Sequence, residues 1–202
     1  MIVEADVTET AASLPVGCVV LAAGAGTRFG GNKLSAEYRG RSLLSRALEA
    51  VPLEEVHAAA LVTGDPDAKK LSKEMGFRCV FNDRPELGLS LSVRLGTEAL
   101  GPVCRGIVYF VADQPLLRRE TVGALISLWR RHPDRIVAAA HNGVRGNPCL
   151  FPAEFFPELC ALEGDVGGGA VIRRHPDRLL LLEVPAEELM DADTPEALDN
   201  LP

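Results

Sequence analysis

Positive charge is scarce in this chain: 21 Lys and Arg stand against 28 Asp and Glu, a formal net charge of −7. A nucleic-acid or anionic-membrane surface draws most of its affinity from a basic patch, so that class of partner is excluded. A small anionic substrate is not, because its cations can be few and local. Cysteine is also sparse. Cys18, Cys79, Cys104, Cys149 and Cys160 are scattered, odd in number and without a C-x-x-C pair, so they read as small buried apolar residues in a reducing compartment rather than a disulfide framework or zinc site. Apolar runs such as Ile107 to Ala112 are far too short to span a bilayer. The acidic start MIVEADVTET has no basic region ahead of an apolar core, so it does not read as a secretory signal. The expectation is a soluble, cytoplasmic protein. The four histidines show no H-x-x-x-H spacing and no Ser-His-Asp order, which argues against zinc or triad hydrolysis.

What the chain has is enough apolar content, 47% of 202 residues, to bury one sizeable core. A single domain over residues 1–202 is expected, with Met1 to Pro15 as an N-terminal arm or frayed tail. No internal repeats or low-complexity segments interrupt it. The run Cys18 to Ala23 is apolar and β-branched and predicts a strand buried on both faces. Leu43, Leu44, Ala47, Leu48 and Val51 recur with helical spacing up to Pro52. Ala58 to Thr63 reads as a strand, Asp67 to Met75 as a helix closed by Gly76, and Cys79 to Phe81 as a short strand. Ser90 stands where an N-cap belongs, ahead of a helix from Leu91 to about Leu100. Ile107 to Ala112 is a strand and Thr121 to Arg131 an amphipathic helix. Ile136 to Ala140 and Pro148 to Phe151 follow as strands, then Phe155 to Leu162 as a helix. Gly143 to Pro148 and Gly164 to Gly169 read as flexible stretches, the second with enough glycine for a mobile lid. Such alternation predicts a three-layer α/β sandwich with a mainly parallel, mixed sheet, Rossmann-like in layout. In sheets of that kind, ligands bind outside the carboxyl ends of the strands.

The segment Leu21 to Lys33, LAAGAGTRFGGNK, carries the strongest chemical signal. An apolar strand runs into a loop whose glycines, Gly24, Gly26, Gly30 and Gly31, let backbone N–H groups approach an anion. Arg28 adds a forked charge and Lys33 a point charge, which together suit phosphate oxygens. Two familiar glycine loops fail on spacing. A Walker A loop needs Ser or Thr after its lysine, but Leu34 follows Lys33. A dinucleotide fingerprint needs G-x-G-x-x-G, and here Gly30 comes one residue late, with the next strand-end carboxylate, Asp65, far downstream. Asp113 ends a strand at the edge where this loop lies. By position it is either a Mg²⁺ ligand, since magnesium is held by one or two carboxylates plus substrate phosphates, or an Asp that only stabilises the turn before Pro115. Asp193 precedes Thr194 as helix cap and Pro195 as first helical residue; it either completes a metal shell or complements a helix dipole. Asp191, two residues earlier, competes for the first role. Gly88 to Ser92 offers N–H groups and hydroxyls suited to a base edge or phosphate.

Leu21-Ala22-Ala23-Gly24-Ala25-Gly26-Thr27-Arg28 with Gly30 and Asn32-Lys33 resembles the signature of the MobA-like nucleotidyltransferases, more narrowly their molybdenum cofactor cytidylyltransferase branch. The likeness extends to Gly88-Leu89-Ser90-Leu91-Ser92, Ala112-Asp113-Gln114-Pro115, Gly146-Asn147-Pro148, Gly164-Asp165 and Asp191 to Glu196. It implies a nucleotidyltransferase fold and transfer of CMP from CTP to molybdopterin with Mg²⁺ as cofactor, a molybdenum hydroxylase being the partner that takes the product. It further implies a nucleotide site of Leu21, Ala22, Ala23, Gly24, Gly26, Thr27, Arg28, Lys33, Gly88, Ser90 and Ser92. Arg28, Lys33 and Asp113 would be catalytic, Asp113 and Asp193 would hold the metal, and Asn147 and Asp165 would border the acceptor. The chain departs from the pattern at Gly169, where an arginine is common, at Ser42, where proline is usual, and at Glu37 to Arg39. Another base such as GTP, another phosphate acceptor, or a non-catalytic cofactor-delivery role are the alternatives.

Overall fold

The computed structural model describes residues 14–24, 29 and 33–202. Met1 to Ser13, and with them most of the expected arm, lie outside the described residues, as do Ala25 to Arg28 and Gly30 to Asn32. β1 (Val16–Ala22) is buried along its whole length, as its apolar run predicts. It lies between two parallel neighbours, β4 (Ala58–Thr63) and β6 (Gly106–Val111). Among the described residues the sheet has seven strands in the order β5-β4-β1-β6-β8-β7-β9, with β5 at Arg78–Phe81, β7 at Ile136–His141, β8 at Val144–Pro152 and β9 at Leu179–Glu183. Only β8 runs against the rest, pairing antiparallel with β6 and β7. The sheet is thus mixed but mainly parallel.

Because side chains alternate across a strand, β1 feeds two cores. Cys18, Val20 and Ala22 face one, where α1 (Leu43–Glu49), α2 (Ala68–Glu74) and α4 (Arg119–Arg131) pack through Leu44, Leu48, Ala68, Leu125 and Trp129. Val19 and Leu21 face the other, closed by α3 (Leu89–Leu100), α5 (Phe156–Cys160) and α6 (Gly169–Arg174) through Val93, Leu159 and Val171. This is the expected three-layer sandwich. A third, smaller cluster sets Tyr38 and Leu43 against Ala192, Leu198 and Leu201. It ties a hairpin, β2 (Glu37–Tyr38) with β3 (Arg41–Ser42), to the last helix, α7 (Pro195–Asp199). Among the described residues no helix is long and apolar enough to cross a membrane.

Three local expectations change. α3 begins at Leu89, with Gly88 rather than Ser90 at the N-cap; Gly88 has φ +90° and ψ −177°, a conformation closed to most L-residues. Gly143 to Pro148 is a strand with a tight turn, not a loop. Asn142 and Gly143 both have positive φ (51° and 74°), which suits the primed turn that right-twisted strands favour. The glycine run after Gly164 is packed: a methyl at Gly167 would meet Leu89 and one at Gly168 would meet Phe151, both under 3.0 Å. Beyond Leu162, α6 and β9 complete the second layer and the far edge of the sheet. Ser42, where the family pattern has proline, caps α1 by accepting a hydrogen bond from Ser45 N.

Candidate active site

β4 and β6 lie on opposite sides of β1, so the crossovers leave it in opposite directions. That makes its carboxyl end a topological switch point, the place where α/β sheets bind ligands. Leu21 and Ala22 close β1 and are buried; Ala23 is half-buried and Gly24 exposed. Gly26, Thr27 and Arg28 fall outside the described residues. The neighbouring strand end is held level with β1 by Ala112 N donating to Leu21 O at 3.0 Å, and Asp113 follows directly.

Lys33 re-enters at the start of a short 3₁₀ turn, Lys33–Ser35. Its Nζ donates to Asp113 Oδ2 and to Asp193 Oδ1, each at 2.8 Å. Three segments far apart in sequence thereby meet at one ammonium. The side chain of Lys33 is 10% exposed, against 24% for Asp113 and 52% for Asp193. Burial works against the lysine's charge, but its hydrogen bonds to and attraction by Asp113 and Asp193 outweigh this and raise its pKa above the ordinary range.

Asp193 is delivered by backbone geometry. Ala192 N donates to Asp113 O at 2.9 Å, and the Ala192 side chain is buried in the third cluster. Thr194 caps α7, its Oγ1 accepting from Ala197 N at 3.1 Å, with Pro195 in the first turn, as the residue order predicts. Asp191 sits in a different setting. Burial raises its pKa and repulsion from Asp113 and Asp193 adds to that, against a hydrogen bond with Gln114 and attraction to Lys33. Gln114 is itself buried, and its Nε2 reaches Leu189 O at 3.4 Å.

The all-oxygen set fits a hard divalent cation. Asp113 Oδ1 is buried and has no hydrogen-bond partner among the described residues, and carboxylates are the donors magnesium and manganese take. Among the described residues no three His, Cys, Asp or Glu side chains form a closed ligand group; a metal shared with phosphates needs no such cage.

Gly88, Ser90 and Ser92 flank the amino end of α3. Ser90 and Ser92 are both buried, and Ser92 Oγ accepts from Asn82 Nδ2 at 3.0 Å. Asp165 comes from the other side: its Oδ1 accepts from Leu89 N at 3.3 Å, capping α3 across 76 residues of chain, while Ser90 N donates to Gly164 O. Asn147 lies on β8, where Cys149 Sγ is 3.8 Å from its Oδ1. Burial pushes the Cys149 thiol up to about 11, although Arg145 opposes the shift. Gln114 stands in the Ala112 to Pro115 run without a role of its own, and neither Asn82 nor Arg145 carries a signal in the sequence. Arg145 becomes conspicuous only once β8 starts at Val144, since it then shares a strand face with Asn147 and Cys149.

A lysine held between two carboxylates at the switch point of a mainly parallel sheet is an arrangement suited to a phosphate-bearing ligand. The chain belongs to the MobA-like NTP transferase domain family, whose model matches residues 18–179, and is a nucleotidyltransferase of that family. It is 31% identical over 196 residues to a nicotine blue oxidoreductase of Paenarthrobacter nicotinovorans, covering 91% of this chain and 94% of that one. It is also 31% identical over 197 residues to the purine catabolism protein PucB of Bacillus subtilis, covering 90% and 93%. Among solved structures, Rv0371c of Mycobacterium tuberculosis H37Rv superposes with a TM-score of 0.76 at 25% identity, covering 93% of this chain and 97% of that one. The same protein has been solved in complex with manganese.

Proposed function

We propose that this protein transfers CMP from CTP to molybdopterin, forming molybdopterin cytosine dinucleotide and pyrophosphate. The observation that carries the reading is the single ammonium of Lys33 held between Asp113 and Asp193 at the carboxyl end of β1 and β6. A terminal phosphate oxygen of the acceptor attacks the α-phosphorus of CTP; the bond to the bridging α–β oxygen breaks, and that oxygen leaves with pyrophosphate. The incoming phosphate is already ionised, so no general base is required and catalysis is positioning plus charge stabilisation.

Nucleotide-binding roles fall to the backbone of Leu21 to Gly24 with Gly26 and Thr27, and to Gly88, Ser90 and Ser92. Arg28 and Lys33 offset charge gathering on the leaving group, while Asn147 and Asp165 border the acceptor. Asp113 and Asp193 would hold Mg²⁺, which when bound supplies positive charge to phosphate oxygens; the manganese complex of Rv0371c supports a divalent ion. A molybdenum hydroxylase is the consumer of the product.

The test is pyrophosphate release with molybdopterin and each of CTP, GTP, ATP and UTP. Release with CTP at least tenfold above the others is expected, and equal rates with all four would sink the cytidylyl assignment. A second reading, redox chemistry on a small molecule, is favoured by the 31% identity to a protein named as an oxidoreductase. Consumption of NADH or NADPH with nicotine blue, without pyrophosphate release from any nucleotide, would select it.

A further inference from the structure

We propose that Arg145 and Arg173 form a guanidinium clamp for the anionic group of the acceptor, a phosphate monoester; the identity of that ligand rests on the transfer reading above. The last β6–β8 pair toward the carboxyl edge is Tyr109 with Cys149. Across an irregularity in β8, Cys149 pairs with Ala138 and Arg145 with Ala140, so Arg145 lies two strand positions past that level, at the carboxyl end of β6 and on the edge that carries Asp113. It shares a strand face with Cys149, to whose Sγ its Nη1 reaches at 3.8 Å. Arg173 approaches the same place from α6.

The two meet over Gly169. A carbon built at the Cβ position of that residue lies 3.0 Å from Arg145 Nη2 and 3.7 Å from Arg173 Nη1, so a single atom there would contact both guanidinium groups. Among the described residues neither arginine has an ion-pair partner, whereas the adjacent Arg174 is paired with Glu158 at 2.8 Å. An anion seated over Gly169 would face both positive charges at once. Forked donors suit the oxygens of a phosphate monoester better than a point charge would. The geometry also accounts for Gly169. A guanidinium from β8 occupies the space that a side chain at this position would enter.

The experiment measures binding of phenyl phosphate and, separately, of CTP to the wild type and to Arg145→Gln, Arg173→Gln, the double variant and Arg145→Lys, with circular dichroism to confirm folding. The double variant should lose at least tenfold in phenyl phosphate affinity, with CTP affinity within twofold of wild type. Arg145→Lys, which keeps charge but not the fork, should fall between. Unchanged phenyl phosphate affinity in the double variant overturns the clamp, as does an absence of millimolar binding by the wild type. Loss of CTP affinity by the same factor also overturns it, since the arginines would then serve the nucleotide. If phenyl phosphate binding depends on both arginines while no nucleotide yields pyrophosphate with molybdopterin, the clamp stands and the transfer reading falls.

Discussion

Replacing Gly88 by alanine should destabilise the fold sharply. At φ +90° and ψ −177°, an L-residue is held in a region that is essentially glycine's alone, at a cost of about 1–3 kcal/mol. The added methyl would also lie 2.5 Å from the carbonyl carbon and oxygen of Gly164 and 2.6 Å from Asp165 N. These are backbone atoms that cannot simply rotate away. Pushing them back strains the Ser90 N to Gly164 O bond, 3.2 Å in the native fold, worth roughly 0.5–1.5 kcal/mol net. Together the loss should be about 2–4 kcal/mol, or roughly 5–15 °C in Tm for a chain of this size. Gly164→Ala is the internal control. Gly164 also has a positive φ, 71°, but a methyl there meets nothing within 4 Å, so only the conformational cost of about 1–2 kcal/mol applies. Urea unfolding of both variants decides the matter. A Gly88→Ala loss under about 1 kcal/mol, or one no larger than that of Gly164→Ala, refutes the close approach of the two segments.

Lys33→Ala leaves Asp113 and Asp193 facing one another without their shared cation and removes one charge from the leaving-group side. Pyrophosphate release should fall on the order of 10²–10³-fold, the range seen when one preorganised donor is removed, and near-normal turnover would remove Lys33 from the chemistry. Asp113→Ala should abolish turnover while circular dichroism stays native; activity close to wild type would mean the metal site is misplaced. Chelation with EDTA should silence the enzyme, with Mg²⁺ or Mn²⁺ restoring it, whereas undiminished rates in chelator would exclude a divalent ion. The buried thiols set an alkaline limit. Burial raises Cys149 to about 11 and Cys18 further still, while unfolded thiols ionise at about 8.5. Between those values the unfolded chain has lost protons that the folded chain retains, so stability falls as pH rises, by up to about 1.4 kcal/mol per pH unit for each thiol. Cys149→Ala should make that decline shallower, and a urea midpoint that stays flat between about pH 8.5 and 10.5 would show that the thiols titrate freely.

The layered architecture was legible because its signals are local. The β1 and β6 runs, the amphipathic face of α4 and the Thr194-Pro195 cap each follow from side-chain period or capping chemistry over a few residues. The register of β8 was not, because its first half, Val144 to Asn147, lacks an apolar alternation and is a strand only through pairing with β7. The N-cap of α3 lies at Gly88 and not at Ser90 for a related reason. The true cap, Gly88, is chosen by the approach of the Gly164 backbone, and α3 receives its carboxylate from Asp165, 76 residues away. Capping from a distant segment leaves no mark at the helix itself.

By itself, then, the sequence determined the strand-to-loop junction at Leu21 to Lys33, the carboxylates Asp113 and Asp193 as candidates, and the exclusion of other phosphate loops by spacing. Tertiary structure alone decided that Lys33 stands between those carboxylates, that Gln114 reaches Asp191, and that Arg145 and Arg173 converge over Gly169. The physical reason is range. Propensity and periodicity act over a turn or a strand, but a charge is placed by where the ends of strands and helices are packed. Those positions are set by the two cores on either side of β1 and by the cluster that brings Ala192 and α7 back to the start of the fold.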